Sequence, residues 1–500
     1  MREPYSMQPD PSPAASPHPS ETALLAVRRQ KLESLRQRGV DPFGGRFDTT
    51  HTLPALREGF SEGLQVRCAG RVSALRDMGK TQFFDLSDIS GRFQCFLHGK
   101  NVSEETMALF SECIDIGDWL GVEGETFITR TGEPSIKVNS LTVLSKTLRP
   151  MPDKWHGVTD REIKYRQRYL DLMANARSRE VFVMRSKMVA ETRLFFQERG
   201  FLEVETPMLQ PVAGGAAARP FETHHNALNQ ACYLRIAPEL YLKRLLVGGF
   251  TKIFELNRNF RNEGISRRHN PEFTMLEAYW AYADYEIMAD LVEELICHLA
   301  TKFLGTLQVE HKDEEGNVTR TINLARPWKR VPYRDLIRSV DPGWFERTPE
   351  ERRARCAELG VEISPAMEDY EVTQQVFEKR IEEKTIDPCY VTGVPAELVP
   401  LARQNRTDDS IVDVYELIIN GVEISPGYTE LNDPDVQRTR LMDQAGEEIQ
   451  NLDEDFLLAL EHGMPPAGGI GIGIDRVIMM LTGSESIRDV VLFPQLKNRE

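Results

Sequence analysis

The sequence predicts an α+β protein in which a small five-stranded β-barrel precedes a larger domain, whose mixed, mainly antiparallel sheet is flanked by helices. Two observations predict this class. Short alternating apolar runs recur at even spacing between residues 64 and 148, which is typical of a small barrel. Beyond residue 180, strand-length apolar runs are joined by turn residues and alternate with segments of helical periodicity.

Composition bounds the class of protein. Five hundred residues, 41% of them apolar, are enough for two domains with separate cores. No apolar run approaches the roughly 20 residues that a membrane span needs, so we expect no membrane partner. The seven cysteines are scattered without a CxxC pair, which favours free thiols, a cytoplasmic location and no structural zinc. The net charge of -16 disfavours extensive contact with DNA or other nucleic acid, so any RNA contact is expected to be local.

The first 63 residues divide into a tail and a helix with its connector. Residues 1–20 are rich in Pro and Ser, which predicts a disordered tail without a targeting signal. Residues 21–63 begin with a helix over 21–38, because leucines recur at helical spacing until Gly39 ends the pattern. This basic amphipathic helix is expected to dock on the body of the protein, with contact to RNA as the alternative.

Five runs between residues 64 and 148 predict the strands of the barrel, with a polar helix at 103–112 after the third run. The runs are LQVRCAGRVSAL, TQFFDLSD, RFQCFL, DWLGVEGETFI and IKVNSLTVLS. This order matches an OB-fold, which binds single-stranded nucleic acid by aromatic stacking and hydrogen bonds to base edges. Phe83 is the candidate for stacking, although spacing alone favours a core position for it. The candidates for reading base edges are Arg71, Gln94 and Glu133.

A basic linker, residues 149–180, follows the barrel and is marked by Pro150 and Pro152. Nine basic residues lie in or just beyond it: Arg149, Lys154, Arg161, Lys164, Arg166, Arg168, Arg177, Arg179 and Arg185. Their side chains predict either a surface for an RNA backbone or a solvated hinge.

The stretch from Tyr233 to Tyr285 carries the strongest chemical signal. We interpret three of its runs as core strands: Tyr233 to Ile236, Lys252 to Leu256 and Phe273 to Ala278. The loop at 258–270 holds four arginines, which can bind phosphate or carboxylate, although a solvated basic loop is the alternative. Glu277 and Tyr279 share one face of the next strand, where an inward carboxylate requires a cation. The stretch therefore predicts a ligand with both phosphate and amine groups.

Two further stretches carry chemistry. Glu416 and Glu423 lie on either side of Asn420-Gly421, a hairpin turn that directs both carboxylates towards one ion such as Mg²⁺. Surface acids are the alternative there. The run GGIGIGIDRVIMML resembles a dinucleotide fingerprint in its glycine spacing, but no opening strand precedes it, which argues against that interpretation.

These motifs together resemble a known family. FRNEGISRRHNPEF is similar to motif 2 of the class II aminoacyl-tRNA synthetases, and with GGAAARPFETHHNAL upstream the chain resembles the bacterial type of lysyl-tRNA synthetase. The resemblance extends from about Ala23 to Lys497. It implies a catalytic domain at 181–500, with motif 1 at about 182–210, motif 2 at about 252–278, an insertion at about 332–385 and motif 3 at about 468–481. Motif 1, a long helix and a strand ending at Pro207, implies a homodimer.

The resemblance also implies a reaction and a set of residues. Lysine is activated with ATP and Mg²⁺ and transferred to the 3′ end of tRNA(Lys). The implied catalytic residues are Arg261 and Arg476. The implied ATP-binding residues are Arg261, Glu263, Arg268, His269, Phe273 and Arg476. The implied lysine-binding residues are Gly215, Glu239, Arg261, Glu277, Tyr279, Tyr428 and Glu430. Glu416 and Glu423 are the implied metal ligands, and Arg71, Phe83, Gln94 and Glu133 would read a uridine-rich anticodon.

The resemblance departs from the family pattern at Pro426. The family usually has Asn or a similar polar residue there, in contact with the substrate carboxylate, and proline has no amide side chain. Arg261 or Ser425 could take over this contact, or the preferred amino acid could differ. Three alternatives stay open: a related class II enzyme such as an aspartate or asparagine ligase, an adenylating paralogue that modifies a protein or uses a lysine isomer, and a non-catalytic RNA-binding or regulatory protein that resembles a synthetase.

Overall fold

The computed structural model describes residues 21–151, 160–216, 218–313, 315–445 and 453–497. The tail expected at 1–20 lies outside the described residues. The chain forms two compact units, residues 1–160 with 169–175, and residues 161–168 with 176–500. Among the helices of the described residues, none is both long and apolar enough to cross a membrane. All seven cysteines are free thiols.

The first unit is a closed barrel with strand order β1-β2-β3-β5-β4. Its elements are α1 (Glu21–Gln37), α2 (Leu53–Glu58), β1 (Gln65–Asp77), β2 (Thr81–Ser87), β3 (Arg92–His98), α3 (Glu104–Cys113), β4 (Trp119–Ile128) and β5 (Pro134–Ser145). Inward residues alternate with outward ones along each strand, and Phe84, Phe93 and Val122 are fully buried. The predicted five-stranded OB-fold with a helix after its third strand is confirmed.

Helix α1 packs on the barrel. Leu35 is fully buried and belongs to the barrel core. Arg28 donates hydrogen bonds to the carbonyl oxygens of Ile116 (3.0 Å) and Thr147 (3.1 Å). The helix ends where Gly39 adopts a φ of +72°, which glycine tolerates best. The leucine periodicity of α1 therefore corresponds to the face with which the helix docks on the barrel, as expected.

The second unit contains the remaining helices and strands. Its helices, with those of the connecting segment, are α4 (Arg161–Arg166), α5 (Arg168–Ala174), α6 (Ala176–Glu198), α7 (Glu239–Val247), α8 (Tyr285–Leu304), α9 (Tyr333–Val340), α10 (Pro349–Leu359), α11 (Asp369–Arg380), α12 (Pro434–Ala445), α13 (Glu454–Glu461), α14 (Ile474–Thr482) and α15 (Ile487–Val490). Short 3-10 turns lie at Trp344–Glu346, Glu382–Lys384 and Ala396–Leu398. Its strands are β6 (Leu202–Glu203), β7 (Leu209–Gln210), β8 (Phe221–His225), β9 (Gln230–Leu234), β10 (Lys252–Phe260), β11 (Glu272–Ala281), β12 (Gln308–Lys312), β13 (Val318–Asn323), β14 (Lys329–Pro332), β15 (Cys389–Thr392), β16 (Val414–Ile419), β17 (Val422–Thr429) and β18 (Ala467–Gly473).

An eight-stranded sheet organises this unit, in the order β14-β15-β16-β17-β18-β11-β10-β6. Only the pairs β6–β10 and β14–β15 are parallel, so the predicted mixed, mainly antiparallel sheet is confirmed. One face is apolar: Leu276, Ala278 and Ile470 lie in a core with α6, α8 and α14. Side chains alternate along β11, so Glu277 and Tyr279 point to the opposite face. That face carries the site.

Two strand predictions were wrong in detail. The run at Tyr233 to Ile236 is not a core strand, because β9 ends at Leu234 and pairs only with β7 and β8 in a separate small sheet. The strand expected to end at Pro207 is only the two-residue strand β6, Leu202–Glu203, after which the chain leaves the edge of the large sheet. In both cases the apolar pattern was real, but neighbouring strands decided where pairing began and ended.

Candidate active site

A cavity of about 590 Å³ opens on the polar face of the sheet. The seven residues expected to bind lysine all line it: Gly215, Glu239, Arg261, Glu277, Tyr279, Tyr428 and Glu430. They come from five separate segments of the chain. A shallower depression of about 700 Å³ beside Arg326 and Arg330 contains none of the expected residues. Both of its arginines are already paired with carboxylates.

Three buried carboxylates share the cavity. Glu239, Glu277 and Glu430 are 6%, 4% and 1% exposed. The hydroxyl of Tyr279 donates a hydrogen bond of 3.2 Å to Glu277 Oε2. Burial, and next the charge of Glu239, raises the pKa of Glu277 well above its ordinary value. A cation in the cavity relieves this repulsion, so the arrangement favours a ligand with ammonium groups.

A resident cation that sequence reasoning missed lies beside two of these carboxylates. Lys243 Nζ is 2.7 Å from Glu239 Oε1 and 2.5 Å from Glu430 Oε2, and the Lys243 side chain is fully buried. Glu239 and Lys243 are one turn apart on α7. The E-x-x-x-K spacing was visible in the sequence, but surface helices show the same pattern.

Glycines bring the backbone close to these carboxylates. A Cβ at Gly469 would lie 1.9 Å from Glu430 Oε1, so only glycine leaves room for that carboxylate. Gly215 has a φ of +87°, and a Cβ there would lie 3.1 Å from Glu239 Cβ. The expected neighbourhood of Gly215 and Glu239 is therefore present in the structure.

A β-bulge decides which residues of β17 face the cavity. The pairing register between β16 and β17 shifts next to the turn, which inserts one extra residue into β17. Beyond the bulge, Pro426 and Tyr428 lie on the same face as Glu423, and all three line the cavity. Ser425 turns to the other side and is 0% exposed, so it cannot replace the missing amide at Pro426. Arg261 does line the cavity and is left as the candidate for that contact.

The residues expected to bind phosphate cluster next to this cavity. Arg476 Nη2 lies 3.3 Å from His269 Nε2. Burial, followed by the charge of Arg476, lowers the pKa of His269; Arg268 and Arg261 lower it further and Glu263 opposes them. The structure thus brings these five side chains together at a site that favours a polyanion.

Arg261 stands at the junction of the cavity and the arginine cluster. Its guanidinium lies 5.2 Å from the ring centroid of Phe273, the residue expected to stack on adenine. Arg261 Nε is buried and has no hydrogen-bond partner among the described residues. A buried donor without a partner is costly, which indicates that a ligand completes it.

Asp475, which sequence reasoning did not single out, ties the three motif segments together. Its carboxylate accepts a hydrogen bond of 2.7 Å from the backbone N–H of Thr274 and lies 2.5 Å from Arg185 Nη1. Arg476 follows directly and donates to the carbonyl oxygen of Glu423 at 2.6 Å. Arg185, which we had counted among the basic residues for an RNA surface, is therefore ion-paired with Asp475 inside this unit. Arg168 likewise lies inside this unit, is 0% exposed and donates to the carbonyl oxygen of Leu492 at 2.9 Å.

The two carboxylates of the predicted metal site lie on neighbouring strands, with a third beside them. The Asn420-Gly421 turn has φ values of +57° and +73°, as a hairpin turn of this type requires. Glu382, from the segment predicted as an insertion at about 332–385, accepts a hydrogen bond of 3.3 Å from the backbone N–H of Glu423. Burial, then Glu423 and Glu382, raises the pKa of Glu416 to about 8.

These residues fit Mg²⁺ bound together with a substrate. Within the described residues, no group of three or more His, Cys, Asp or Glu side chains forms a metal site by itself. Mg²⁺ usually binds one or two carboxylates and completes its shell with water and substrate phosphates. The mutual repulsion of Glu416 and its neighbours is relieved by a cation, so the donor set is compatible with the ion.

On the barrel, Phe83 lies on the outer surface, not in the core. Its ring is 5.2 Å from Phe96, which in turn is 5.4 Å from Phe127. All three side chains are half-buried and lie outside the core cluster of the barrel. This row of aromatic rings is a surface on which bases can stack.

Polar groups surround this aromatic surface. Arg76 pairs in register with Phe83 and donates a hydrogen bond of 2.9 Å to Gln94 Oε1. Glu133 lies at the start of β5 with its side chain 44% exposed. Arg76 was missed by sequence reasoning, although its place on β1 opposite Phe83 follows from pairing β1 with β2 in a hairpin.

Arg71 is engaged elsewhere in the barrel. It donates a hydrogen bond of 3.1 Å to the carbonyl oxygen of Gly117, and its guanidinium lies 4.8 Å from the ring of Trp119. Arg76 is therefore the better placed arginine for reading a base, and the role predicted for Arg71 remains without support from its contacts.

Comparisons with known proteins identify the family of the chain. Residues 160–497 match the family described as tRNA synthetases class II (D, K and N), and residues 66–144 match the OB-fold nucleic acid binding domain. The lysine–tRNA ligase of Carboxydothermus hydrogenoformans is 48% identical over 493 residues, which cover 97% of this chain and 100% of the relative. The lysine–tRNA ligase of Pelotomaculum thermopropionicum is 49% identical over 489 residues, 95% of each chain.

A third relative, the lysine–tRNA ligase of Moorella thermoacetica, is 47% identical over 491 residues, which cover 96% of this chain and 99% of the relative. Identity at this level over nearly the whole length of both chains extends to the barrel and the sheet alike. The chain therefore belongs to the lysine–tRNA ligase family of class II tRNA synthetases.

Proposed function

We propose that this chain is a lysine–tRNA ligase that activates L-lysine with ATP and transfers the lysyl group to the 3′ end of tRNA(Lys) for protein synthesis. One observation carries the proposal: a cavity with three buried carboxylates opens beside a cluster of arginines and a histidine. The cavity suits the ammonium groups of lysine, and the cluster suits a triphosphate. An aspartate ligase is disfavoured, because buried carboxylates repel an acidic substrate. An asparagine ligase is disfavoured as well, because a neutral substrate would leave the charge of these carboxylates unpaired.

Catalysis by this site is positioning and charge stabilisation, without a covalent nucleophile from the protein. A carboxylate oxygen of lysine attacks the α-phosphorus of ATP in line. The bond between that phosphorus and the oxygen leading to the β-phosphorus breaks, and pyrophosphate leaves. A hydroxyl of the terminal ribose of tRNA then attacks the carbonyl carbon of the adenylate, and AMP leaves.

Each of the described side chains has a separate role in binding the substrates. Arg261 bridges the lysine carboxylate and the α-phosphate, a role that its buried, unpartnered Nε supports. Arg268, His269 and Arg476 hold the outer phosphates. Phe273 stacks on adenine next to Arg261. Glu263, exposed at the tip of the loop, meets the adenine amino group.

In the lysine cavity, Glu277 and Glu430 hold the ε-ammonium group with Tyr279, and Glu239 with Gly215 receives the α-amino group. Tyr428 forms part of the wall. Glu416 and Glu423 hold Mg²⁺, which when bound supplies positive charge to the phosphates of ATP. Pro426 leaves Arg261 as the group for the substrate carboxylate, since Ser425 is turned away.

The barrel binds the anticodon of tRNA(Lys) on its outer surface. Phe83 stacks with a base, and Gln94, Glu133 and Arg76 read base edges. The half-buried aromatic row at Phe83 and Phe96 supports this assignment.

A homodimer through motif 1 is part of the proposal. Leu194, Leu202, Met208 and Leu209 are 43%, 53%, 43% and 52% exposed. They lie along α6, the edge strand β6 and the following segment, where a second copy would cover both the apolar side chains and the open sheet edge. Sedimentation velocity tests this, and a monomer at micromolar concentration would contradict it. A cytoplasmic location completes the proposal and is supported by the seven free thiols.

ATP–pyrophosphate exchange with the full chain, without tRNA, tests the activity. All twenty amino acids and β-lysine are each supplied with ATP and Mg²⁺. Exchange with L-lysine alone is expected and would show that Pro426 is tolerated. Exchange with another amine, or with none, would replace the proposal by the adenylating paralogue or the non-catalytic protein.

A further inference from the structure

We propose that Lys243 is a positioning residue of the lysine cavity: its ammonium group holds Glu239 and Glu430 in place and cancels a negative charge that the substrate cannot cancel. The inference rests on the proposed function of the cavity. It concerns a residue that does not line the cavity and that therefore acts only through the two carboxylates.

The geometry supports a bridge between two elements. Glu239 is the first residue of α7, and Glu430 directly follows β17. Lys243 Nζ lies 2.7 Å from Oε1 of the first and 2.5 Å from Oε2 of the second. Each carboxylate is thereby held through one oxygen. Glu430 Oε1 has no hydrogen-bond partner among the described residues and lies against Gly469 on the cavity wall.

The count of charges gives Lys243 a specific task. Five carboxylates line the cavity, of which Asp453 is paired with Arg244 and Glu423 is assigned to the metal site. The three that remain, Glu239, Glu277 and Glu430, are buried. Lysine brings two ammonium groups, and its own carboxylate belongs to Arg261. One negative charge is therefore in excess, and burying it unpaired is costly. Lys243 supplies the missing positive charge. Burial alone would lower the pKa of Lys243, but Glu239 and Glu430 outweigh burial and raise it, so the residue stays charged.

A purely structural ion pair is a weaker explanation. A buried ion pair contributes little net stability compared with apolar residues of similar volume, because both charges lose their hydration. Both carboxylate partners of Lys243 line the cavity, and Glu430 Oε1, buried against Gly469 of the cavity wall, has no hydrogen-bond partner among the described residues. The charge of Lys243 therefore acts on the two carboxylates that contact the ligand.

Titration of Glu430 provides a readout that a structural role would not change. The groups that face it are Lys243 and Glu239 from α7, Tyr279 from β11 and Tyr428 from β17, and Gly469 of β18 lies against it. Burial raises the pKa of Glu430 to about 7; Lys243 opposes this rise and Glu239 adds to it. Loss of the Lys243 charge therefore raises the pKa of Glu430 further. The carboxylate then binds a proton at neutral pH and holds the substrate ammonium less well.

The experiment measures lysine-dependent ATP–pyrophosphate exchange from pH 6 to pH 9 in Lys243→Met, which removes the charge and keeps the length. We expect the lysine KM at pH 7 to rise by about tenfold or more, with a much smaller change in kcat, because the lost interactions act on ground-state binding. The inflection in the lysine KM should move to higher pH. An unchanged KM and an unchanged inflection in the folded variant would overturn the inference.

Two further variants separate the outcomes. Arg326→Met removes the cation from another buried carboxylate, Glu293, at 2.7 Å and away from the cavity, and should lower stability without changing the lysine KM. Lys243→Arg keeps the charge but changes its shape, so the lysine KM should rise while the pH inflection stays near that of the unmodified protein. If Lys243→Met does not fold, a normal lysine KM in folded Lys243→Arg would still overturn the positioning role. Absence of lysine-dependent exchange in the unmodified protein would instead refute the proposed function.

Discussion

Replacing Glu430 by Gln isolates the charge that the cavity offers to the ε-ammonium group. The side chain is 1% exposed, and its two oxygens differ: Oε2 lies 2.5 Å from Lys243 Nζ, and Oε1 faces the cavity wall at Gly469. Glutamine keeps the size of the side chain and can still accept one hydrogen bond. The substitution therefore removes charge while leaving the shape of the cavity intact.

The size of the effect follows from the interaction that is lost. A hydrogen bond to a charged group contributes about 1.5–3 kcal/mol, and about 1.4 kcal/mol corresponds to a tenfold change in affinity. Glu277 remains as a second partner for the ammonium group, so the loss stays within that range. The lysine KM is expected to rise by about 10- to 100-fold, whereas the KM for ATP should change little.

The assay is ATP–pyrophosphate exchange with lysine as the varied substrate, and thermal unfolding reports on stability in parallel. Glu293→Gln is the matched control, because Glu293 is also a buried, ion-paired glutamate but lies beside Arg326, outside the cavity. A lysine KM near that of the unmodified protein in Glu430→Gln would refute the assignment of Glu430. An equal rise in both variants would show that the effect is general destabilisation.

Three other perturbations test separate parts of the site. Phe83→Ala should raise the KM for tRNA by about 5- to 150-fold, since a stacked base contributes about 1–3 kcal/mol, and should leave exchange unchanged. Phe43→Ala, which changes an exposed aromatic side chain elsewhere in this unit, is the control. Equal loss in both assays of Phe83→Ala would make Phe83 structural. ATP binding should raise the lowered pKa of His269, because the phosphates bring negative charge, and the complex should take up protons at mildly acidic pH. Calorimetry in two buffers of different ionisation enthalpy detects this uptake, and uptake that persists in His269→Asn would contradict the prediction. Glu416→Gln should raise the Mg²⁺ concentration for half-maximal exchange without raising the lysine KM at saturating Mg²⁺, and an unchanged Mg²⁺ titration would remove Glu416 from the metal site.

Local patterns were sufficient where the determinant is itself local. Alternation of apolar residues predicted the barrel strands, and leucine spacing predicted α1 and its docking face. The Asn420-Gly421 pair predicted its turn, because few residues other than glycine and asparagine tolerate positive φ there. The arginine-rich loop and the acidic strand beside it predicted a site for phosphate and amine before any family was considered.

Errors arose where distant parts of the chain decided the outcome. The run at Tyr233 had strand character, but its partners in a separate sheet determined where it ended. Arg185 was counted with a basic surface, although it lies 2.5 Å from Asp475, 290 residues further along the printed sequence. Arg76 was missed, because strand register within the barrel, rather than composition, places it opposite Phe83.

The sequence by itself determined the class of fold, the two chemical halves of the site and the family. The class of fold and the two halves follow from residue types at short spacing, which local backbone preference and periodicity translate directly into structure. The family follows from the resemblance of the motifs to known ones. Only the tertiary structure decided which side chains share the cavity. One extra residue in β17 turns Pro426 and Tyr428 onto the face of Glu423 and turns Ser425 away from it. Packing of α7 against β11 and α13 places Lys243 between two carboxylates that lie 191 residues apart in the chain. Register and packing between distant segments depend on many contacts at once, so no short stretch of sequence encodes them.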